Sequence, residues 1–200
     1  IFRLKKLKAM SKINKIVIAT TLNKKDEKIV KIFKKNNIQF FRGSEKDVRL
    51  RVIQAAKKFK IENIIRITSD CPIIDISIVD QAIKLYENNN SEIVTNAHCR
   101  SFPDGMDVEV IKTSSLVKSL KYENGRKFKE HLTLTIKKHK SKFKIINFIA
   151  PHNLFFPYIG LTLDEKKDFI LLKKIIIHFN KKNNPYFSCL DILNFLFKNR

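Results

Sequence analysis

The chain has 200 residues, of which 44% are hydrophobic, and this content is enough for the core of one globular domain. The 41 Lys and Arg against 19 Asp and Glu give a formal net charge of +22, which raises the question of nucleic-acid binding. We expect no nucleic-acid partner, because the lysines are spread along the sequence and are enriched together with Ile, Asn and Phe, as AT-rich coding DNA produces.

Membrane and zinc-binding classes are also disfavoured. No apolar run approaches the roughly 20 residues that span a bilayer, and lysines interrupt the amino end, so neither a membrane partner nor a signal peptide is expected. Cys71, Cys99 and Cys189 are widely spaced, which favours neither a disulfide framework nor a zinc site and indicates a cytoplasmic location.

The first part of the chain alternates strand and helix patterns. Strands are predicted at residues 15–20, 39–42, 63–68 and 92–96. The intervening helices are predicted to begin at Asn23, at Ser44 with Asp47, and at Ser77 with Asp80. Near-continuous apolar strands joined by helices predict an α/β fold with a mostly parallel sheet and helices on both faces.

The pattern changes after Ala97. Residues 107–111 alternate as in a half-exposed strand, helices are predicted at 114–121 and 126–139, and a strand at 143–148. A loop rich in aromatic residues and proline, 151–158, precedes the apolar run 160–164 and a helix at 165–180, and Ser188 with Asp191 caps a last helix. We predict one domain, 1–200, with an inserted subdomain at about 98–150.

Two aspartates follow apolar runs. Asp70 follows the third predicted strand, and Asp164 follows the run 160–163. Ligands of open parallel sheets bind beyond the carboxyl ends of the strands, and two carboxylates with waters and substrate phosphates suit Mg²⁺. The alternatives are that Asp70 starts a turn before Pro72 and that Asp164 caps the next helix.

Five segments in fixed order carry a more specific signal. They read FRGSEKDVRLRVIQAA, IIRITSDCPIID, FPDGMDVEVI, FKEHLTLTI and LTLDEKKDFILLKKI. From about residue 16 to 176 the chain thereby resembles the cytidylyltransferase family, nearest the spore coat polysaccharide biosynthesis protein F type, which is related to the acylneuraminate and deoxy-octulosonate cytidylyltransferases. The resemblance implies a Rossmann-like nucleotide-diphosphosugar transferase fold. It also implies Mg²⁺-dependent transfer of CMP from CTP to an acidic or modified sugar.

The resemblance also assigns residues. Asp70 matches the metal-binding aspartate of the family's D-x-P segment, and Asp164 matches the second metal aspartate, in a segment where Glu165 and Lys167 replace the usual Thr and Glu. His131 is implied as a third catalytic residue, for proton handling or sugar binding. Nucleotide contacts are implied for Arg42, Gly43, Ser44, Arg51 and Arg66, and sugar contacts for Asp104, Asp107, Glu109, Lys129 and Glu130.

Several of these residues have a plainer interpretation. Ser44 also fits a helix cap, Arg51 a solvated helix residue, and Arg66 a structural ion pair. Asp104 also fits a turn, and His131 fits a half-buried structural histidine.

In the family, a strand and a basic, glycine-containing loop that grips the triphosphate precede the region matched here. The chain starts after that loop, with residues 1–10 predicted as a helix, so we expect an N-terminally truncated fold with impaired activity. Alternatives are a glycosyltransferase using a nucleotide sugar, which the absence of D-x-D at Asp70 disfavours, and a non-catalytic binding module. Many relatives dimerise through the inserted subdomain, so a homodimer is considered.

Overall fold

The computed structural model describes residues 6–7 and 13–198. Most of the helix predicted at 1–10 lies outside these residues; Lys6 and Leu7 are helical. The chain divides into two compact units, with residues 65–110 and 146–200 in unit 1 and residues 2–64 and 111–145 in unit 2. The predicted single domain with an insertion at about 98–150 stays a prediction.

The elements confirm the α/β class. The strands of the described part are β1 (Val17–Thr21), β2 (Gln39–Gly43), β3 (Asn63–Arg66), β4 (Ile93–Thr95), β5 (Glu109–Lys112) and β6 (Ile145–Asn147). The α-helices bounded within it are α1 (Glu27–Lys35), α2 (Val48–Lys58), α3 (Ile76–Asn88), α4 (Thr113–Ser119), α5 (Arg126–Glu130), α6 (Leu134–Lys138), α7 (Lys166–Lys181) and α8 (Cys189–Lys198). Short 3₁₀ turns occupy Lys24–Asp26, Lys140–Lys142 and His152–Leu154.

The strands form two sheets. β1 and β2 pair in parallel from Val17 opposite Gln39 to Thr21 opposite Gly43, and the other four strands lie in the order β3-β5-β4-β6. β5 is therefore an interior strand, and its residues Glu109 to Ile111 are all buried. The prediction of a half-exposed strand was wrong here because Glu109 lies inside the protein, where an ion pair compensates its charge.

One more predicted element differs, and an apolar run that was given no secondary structure is now defined. The helix predicted at 126–139 is two helices, α5 and α6, because His131 is extended and the buried Leu132 and Thr133 interrupt the helical backbone. The run 160–164 is not a strand; it contributes one isolated parallel bridge, Asp104 to Gly160.

Helices α2 and α3 are capped by an aspartate that lies two or three residues away from the serine predicted as the cap. Asp47 caps α2 by accepting the Leu50 amide, and Ser44 instead accepts the Asp47 amide in the preceding turn. Asp75 caps α3 by accepting the amide and the hydroxyl of Ser77. A carboxylate satisfies the free amides of a first turn and adds favourable charge at the positive helix end, which explains both shifts.

Asp26 in unit 2 gives a pH prediction. Its carboxylate accepts hydrogen bonds from the hydroxyls of Thr20 and Thr21 and from the Thr21 amide. These hydrogen bonds lower the pKa of Asp26 from 3.8 to about 2. Because the folded pKa is depressed, the stabilisation is complete above about pH 4 and is lost as pH falls through 2. We expect an NMR titration midpoint of Asp26 near 2, moving upward in the Thr20→Val Thr21→Val variant. An unchanged midpoint in that variant would contradict the assigned cause.

Candidate active site

The Asp70 carboxylate lies just beyond β3 and is half-buried. The described residues offer its side chain one hydrogen-bond donor, the thiol of Cys71, with Sγ 3.6 Å from Oδ1. Burial, together with the nearby charges of Asp70 and Asp107, raises the pKa of Cys71 to about 12, so this thiol stays protonated at neutral pH. The carboxylate of Asp70 thus keeps free oxygen lone pairs and no cationic partner within the described chain.

Asp164 is held beside Asp70 by the backbone. The amide of Leu163 donates to the carbonyl of Asp70 at 2.8 Å, so the two segments are directly hydrogen-bonded inside unit 1. Asp164 is not the helix cap: Glu165 caps α7, and Asp168 completes the capping box by accepting the Asp164 and Glu165 amides. The exposed Asp164 carboxylate makes no hydrogen bond or ion pair within the described residues.

The segment around Asp104 joins the same region. The Asp104 amide donates to the carbonyl of Ile159 at 2.8 Å, and the Leu161 amide donates to the carbonyl of Asp104 at 2.7 Å. Residues 159–163 therefore bond to Asp104 on one side and to Asp70 on the other. Tertiary hydrogen bonds bring together three acidic segments that are far apart in sequence.

Arg100 is the site residue that the sequence reading missed. Its guanidinium contacts Asp104 at 2.5 Å and Asp107 at 3.2 Å, so one cation holds both predicted sugar-side aspartates. The four-residue spacing of Arg100 and Asp104 gave no usable signal, because that spacing supports an ion pair on a helix and this segment is a loop.

Gly105 makes the approach of these segments possible. Its φ is +100°, and a Cβ atom there would lie 2.7 Å from the backbone carbon and oxygen of Leu161. We expect Gly105→Ala to destabilise the protein by at least about 2 kcal/mol, because left-handed strain adds to a backbone collision. Chemical denaturation measures the loss. Gly160→Ala is the matched control, since its Cβ would meet no atom within 4 Å; equal losses would contradict the collision.

Arg66 and Glu109 form an ion pair in unit 1. Arg66 Nη1 lies 2.7 Å from Glu109 Oε2, and the carboxylate side chain is 2% exposed against 32% for the arginine. The structural ion pair considered for Arg66 is thus present. The predicted sugar contact of Glu109 would require this buried pair to open.

The predicted nucleotide residues of unit 2 surround the end of β2. Arg42 donates to the carbonyls of Thr21 and Asn23 and pairs with Glu27, and Arg51 donates to the carbonyl of Ser44 at 2.6 Å. A Cβ on Gly43 would lie 2.8 Å from the Phe41 ring and 2.9 Å from the Arg51 side chain. Gly43 therefore permits internal packing, whether or not a nucleotide approaches this backbone.

The remaining predicted residues lie at the α5–α6 break. Lys129 and Glu130 are in the last turn of α5, and His131 ends that helix with an exposed side chain. Within the described residues their side chains make no hydrogen bond or ion pair. These three residues belong to unit 2, whereas Asp70, Asp104 and Asp164 belong to unit 1.

The described residues contain no cluster of three or more His, Cys, Asp or Glu side chains that could hold a metal ion. None of the helices in this part of the chain has the length and hydrophobicity needed to span a bilayer.

The α/β fold is shared with a solved structure of low sequence identity. A CMP-2-keto-3-deoxy-manno-octonic acid synthetase complexed with CTP superposes with a TM-score of 0.56 over 91% of this chain and 88% of that chain, at 8% identity. At that identity the likeness shows the fold alone, and it confirms the α/β fold that the sequence predicted.

The family follows from closer relatives. The cytidylyltransferase family model matches residues 2–192. A cytidylyltransferase from Leptospira borgpetersenii serovar Hardjo-bovis is 33% identical with a TM-score of 0.90, covering 99% of this chain and 82% of that one. The spore coat polysaccharide biosynthesis protein SpsF of Bacillus subtilis is 26% identical over 92% of this chain and 75% of its own length. The chain belongs to the cytidylyltransferase family, whose members are nucleotidyltransferases.

Proposed function

We propose that this protein transfers CMP from CTP to an acidic or modified sugar used in a surface polysaccharide, with release of pyrophosphate. Family membership and the name of the Bacillus relative support the chemistry and the pathway. The main support for the proposed site is the 2.8 Å hydrogen bond from the Leu163 amide to the Asp70 carbonyl, because it joins the two predicted metal-binding segments. CTP is a cytoplasmic metabolite, so the cytoplasm is the proposed location.

Asp70 and Asp164 are the proposed Mg²⁺ ligands. Both carboxylates have free oxygens, and Mg²⁺ characteristically takes one or two carboxylates and completes its shell with waters and substrate phosphates. When bound, Mg²⁺ would neutralise charge that develops on the phosphate oxygens.

The chain's own residues would mainly position the reactants. A sugar oxygen attacks the α-phosphorus of CTP in line, the bond to the pyrophosphate oxygen breaks, and the sugar hydroxyl loses its proton. Asp104 and Asp107, oriented by Arg100, are acceptors suited to sugar hydroxyls. We propose that in unit 2 Lys129 binds the sugar and that the imidazole of His131 binds the sugar or handles a proton; neither side chain has a partner within the described residues.

The test is an assay of pyrophosphate with CTP, Mg²⁺ and a panel of keto-acid and neutral sugars, with the CMP-sugar product identified by mass spectrometry. We expect release that needs both the sugar and the divalent cation. CTP binding without turnover would support the non-catalytic alternative. Release of a free nucleotide from a nucleotide sugar would support the glycosyltransferase.

A further inference from the structure

The positive charge of the protein is concentrated in one of its two units. Among the described residues, unit 2 contains 26 Lys and Arg against 7 Asp and Glu, a formal charge of +19. The described residues of unit 1 contain 10 Lys and Arg against 12 Asp and Glu, a formal charge of −2. The units alternate along the chain, so the lysines look evenly spread only in the linear sequence.

AT-rich coding DNA does not explain this segregation. A coding bias acts on the whole chain, and unit 1 shares the abundance of Ile, Asn and Phe without sharing the charge. Mutual repulsion among so many cations also opposes folding of unit 2. A charge that is locally unfavourable and confined to one unit indicates an anionic partner for that unit.

Helix α1 shows what kind of partner fits. The helix packs against the protein through Val30, which is 3% exposed. The helical periodicity places Lys28, Lys31 and Lys35 on the opposite, outer arc, together with two isoleucines. Ile29 and Ile32 are 42% and 49% exposed. The three lysines are exposed and form no ion pair within the described residues.

We infer that unit 2 docks on an anionic membrane surface through the outer arc of α1, with the lysines near lipid headgroups and Ile29 and Ile32 entering the headgroup–acyl boundary. This departs from the sequence-based expectation of no membrane partner, which rested on the lack of a segment long enough to span a bilayer. Leu22, which precedes the helix in the chain, is a further exposed aliphatic side chain of unit 2, at 69%. Lysines flanking aliphatic side chains on one helix face are the pattern of an interfacial helix. Surface polysaccharides are assembled at membranes, so docking there would deliver a CMP-sugar where it is consumed.

A nucleic acid fits this surface less well. Only 4 of the 26 basic residues described in unit 2 are arginines, and Arg42, Arg49 and Arg51 donate to groups of the protein itself. Lysine attracts phosphate as a point charge without the bidentate geometry that base recognition uses. Exposed aliphatic side chains such as Ile29 and Ile32 add little binding free energy on a nucleic acid, whereas a lipid surface removes them from water.

The experiment measures co-sedimentation of the full chain with vesicles of phosphatidylcholine alone and of phosphatidylcholine with 30% phosphatidylglycerol. We expect binding to the anionic vesicles only. Lys28→Gln Lys31→Gln Lys35→Gln should weaken it about 100-fold, from roughly fivefold per lysine. Ile29→Ser Ile32→Ser, which leaves the charge unchanged, should weaken it about tenfold. Melting temperatures check that each variant folds.

The matched control removes the same charge from unit 1 as Lys173→Gln Lys181→Gln Lys182→Gln, and binding should stay within about twofold. An equal loss in this control would overturn the proposal, since it would show attraction by net charge alone. So would unchanged binding in the isoleucine variant, or binding of single-stranded RNA that the isoleucine change leaves intact and that exceeds vesicle binding. CTP turnover without lipid tests the catalytic proposal separately, so either can fail alone.

Discussion

Asp70→Asn is expected to lower kcat/KM for sugar-dependent pyrophosphate release by at least about 100-fold. An amide cannot supply the negative oxygen that a hard divalent cation prefers. Asp75, the other carboxylate of the same segment, cannot replace Asp70 because it is buried and accepts the amides of Ser77 and Cys189. The fold should survive, because the single side-chain bond lost is a weak one from a thiol. Kinetics at saturating and limiting Mg²⁺, with a melting curve, measure both effects.

Asp164→Asn should cause a loss of similar size, and the double variant should be little worse than either single one, because two ligands of one ion act as a unit. Glu87→Gln, an exposed change of equal charge at the end of α3, serves as the control and should retain activity. Additive losses in the double variant, or an active Asp70→Asn enzyme with normal Mg²⁺ dependence, would contradict a shared ion.

Asp75→Ala is expected to be the most destabilising polar substitution of unit 1, at about 3 kcal/mol. The Asp75 carboxylate is 5% exposed, and it accepts the amide and hydroxyl of Ser77 and the amide of Cys189 at 2.7 to 2.8 Å. It therefore satisfies the first turns of both α3 and α8, and alanine would leave the amide of Ser77 and the buried amide of Cys189 without an acceptor. Urea denaturation measures the free energy of unfolding.

Ser77→Ala is the comparison for this prediction. It removes one of the three hydrogen bonds while both amides keep their acceptor, so we expect a loss of at most about 1 kcal/mol. A loss at Asp75→Ala no larger than that at Ser77→Ala would show that the link between the two helices contributes little to stability.

Local chemistry explains the elements that could be predicted. β1 to β4 and α1 to α3 lie within a few residues of their predicted bounds, because apolar periodicity and capping residues act over one or two turns of chain. The predictions failed where contacts with residues distant in sequence determine whether a segment is buried or helical. β5 is buried because Glu109 finds Arg66, 43 residues earlier, and the helix predicted at 126–139 breaks where Leu132 and Thr133 enter the core.

The candidate site divides in the same way. Asp70 and Asp164 could be selected from the sequence because each follows an apolar run within a family motif. Arg100 could not, because its role depends on two aspartates that a loop folds back toward it. The reading of Asp164 as a helix cap was wrong for a local reason: Glu165 and Asp168 form the capping box instead.

The sequence by itself determined the α/β class, the family and the order of the acidic segments, since these depend on residue type and short-range spacing. Tertiary structure alone decided that residues 159–163 join Asp70 to Asp104, and that 26 of the 36 basic residues in the described chain fall in one unit. The physical reason is that hydrogen bonds and electrostatic fields depend on distance in space. Folding brings distant segments together and separates segments that are neighbours in the chain.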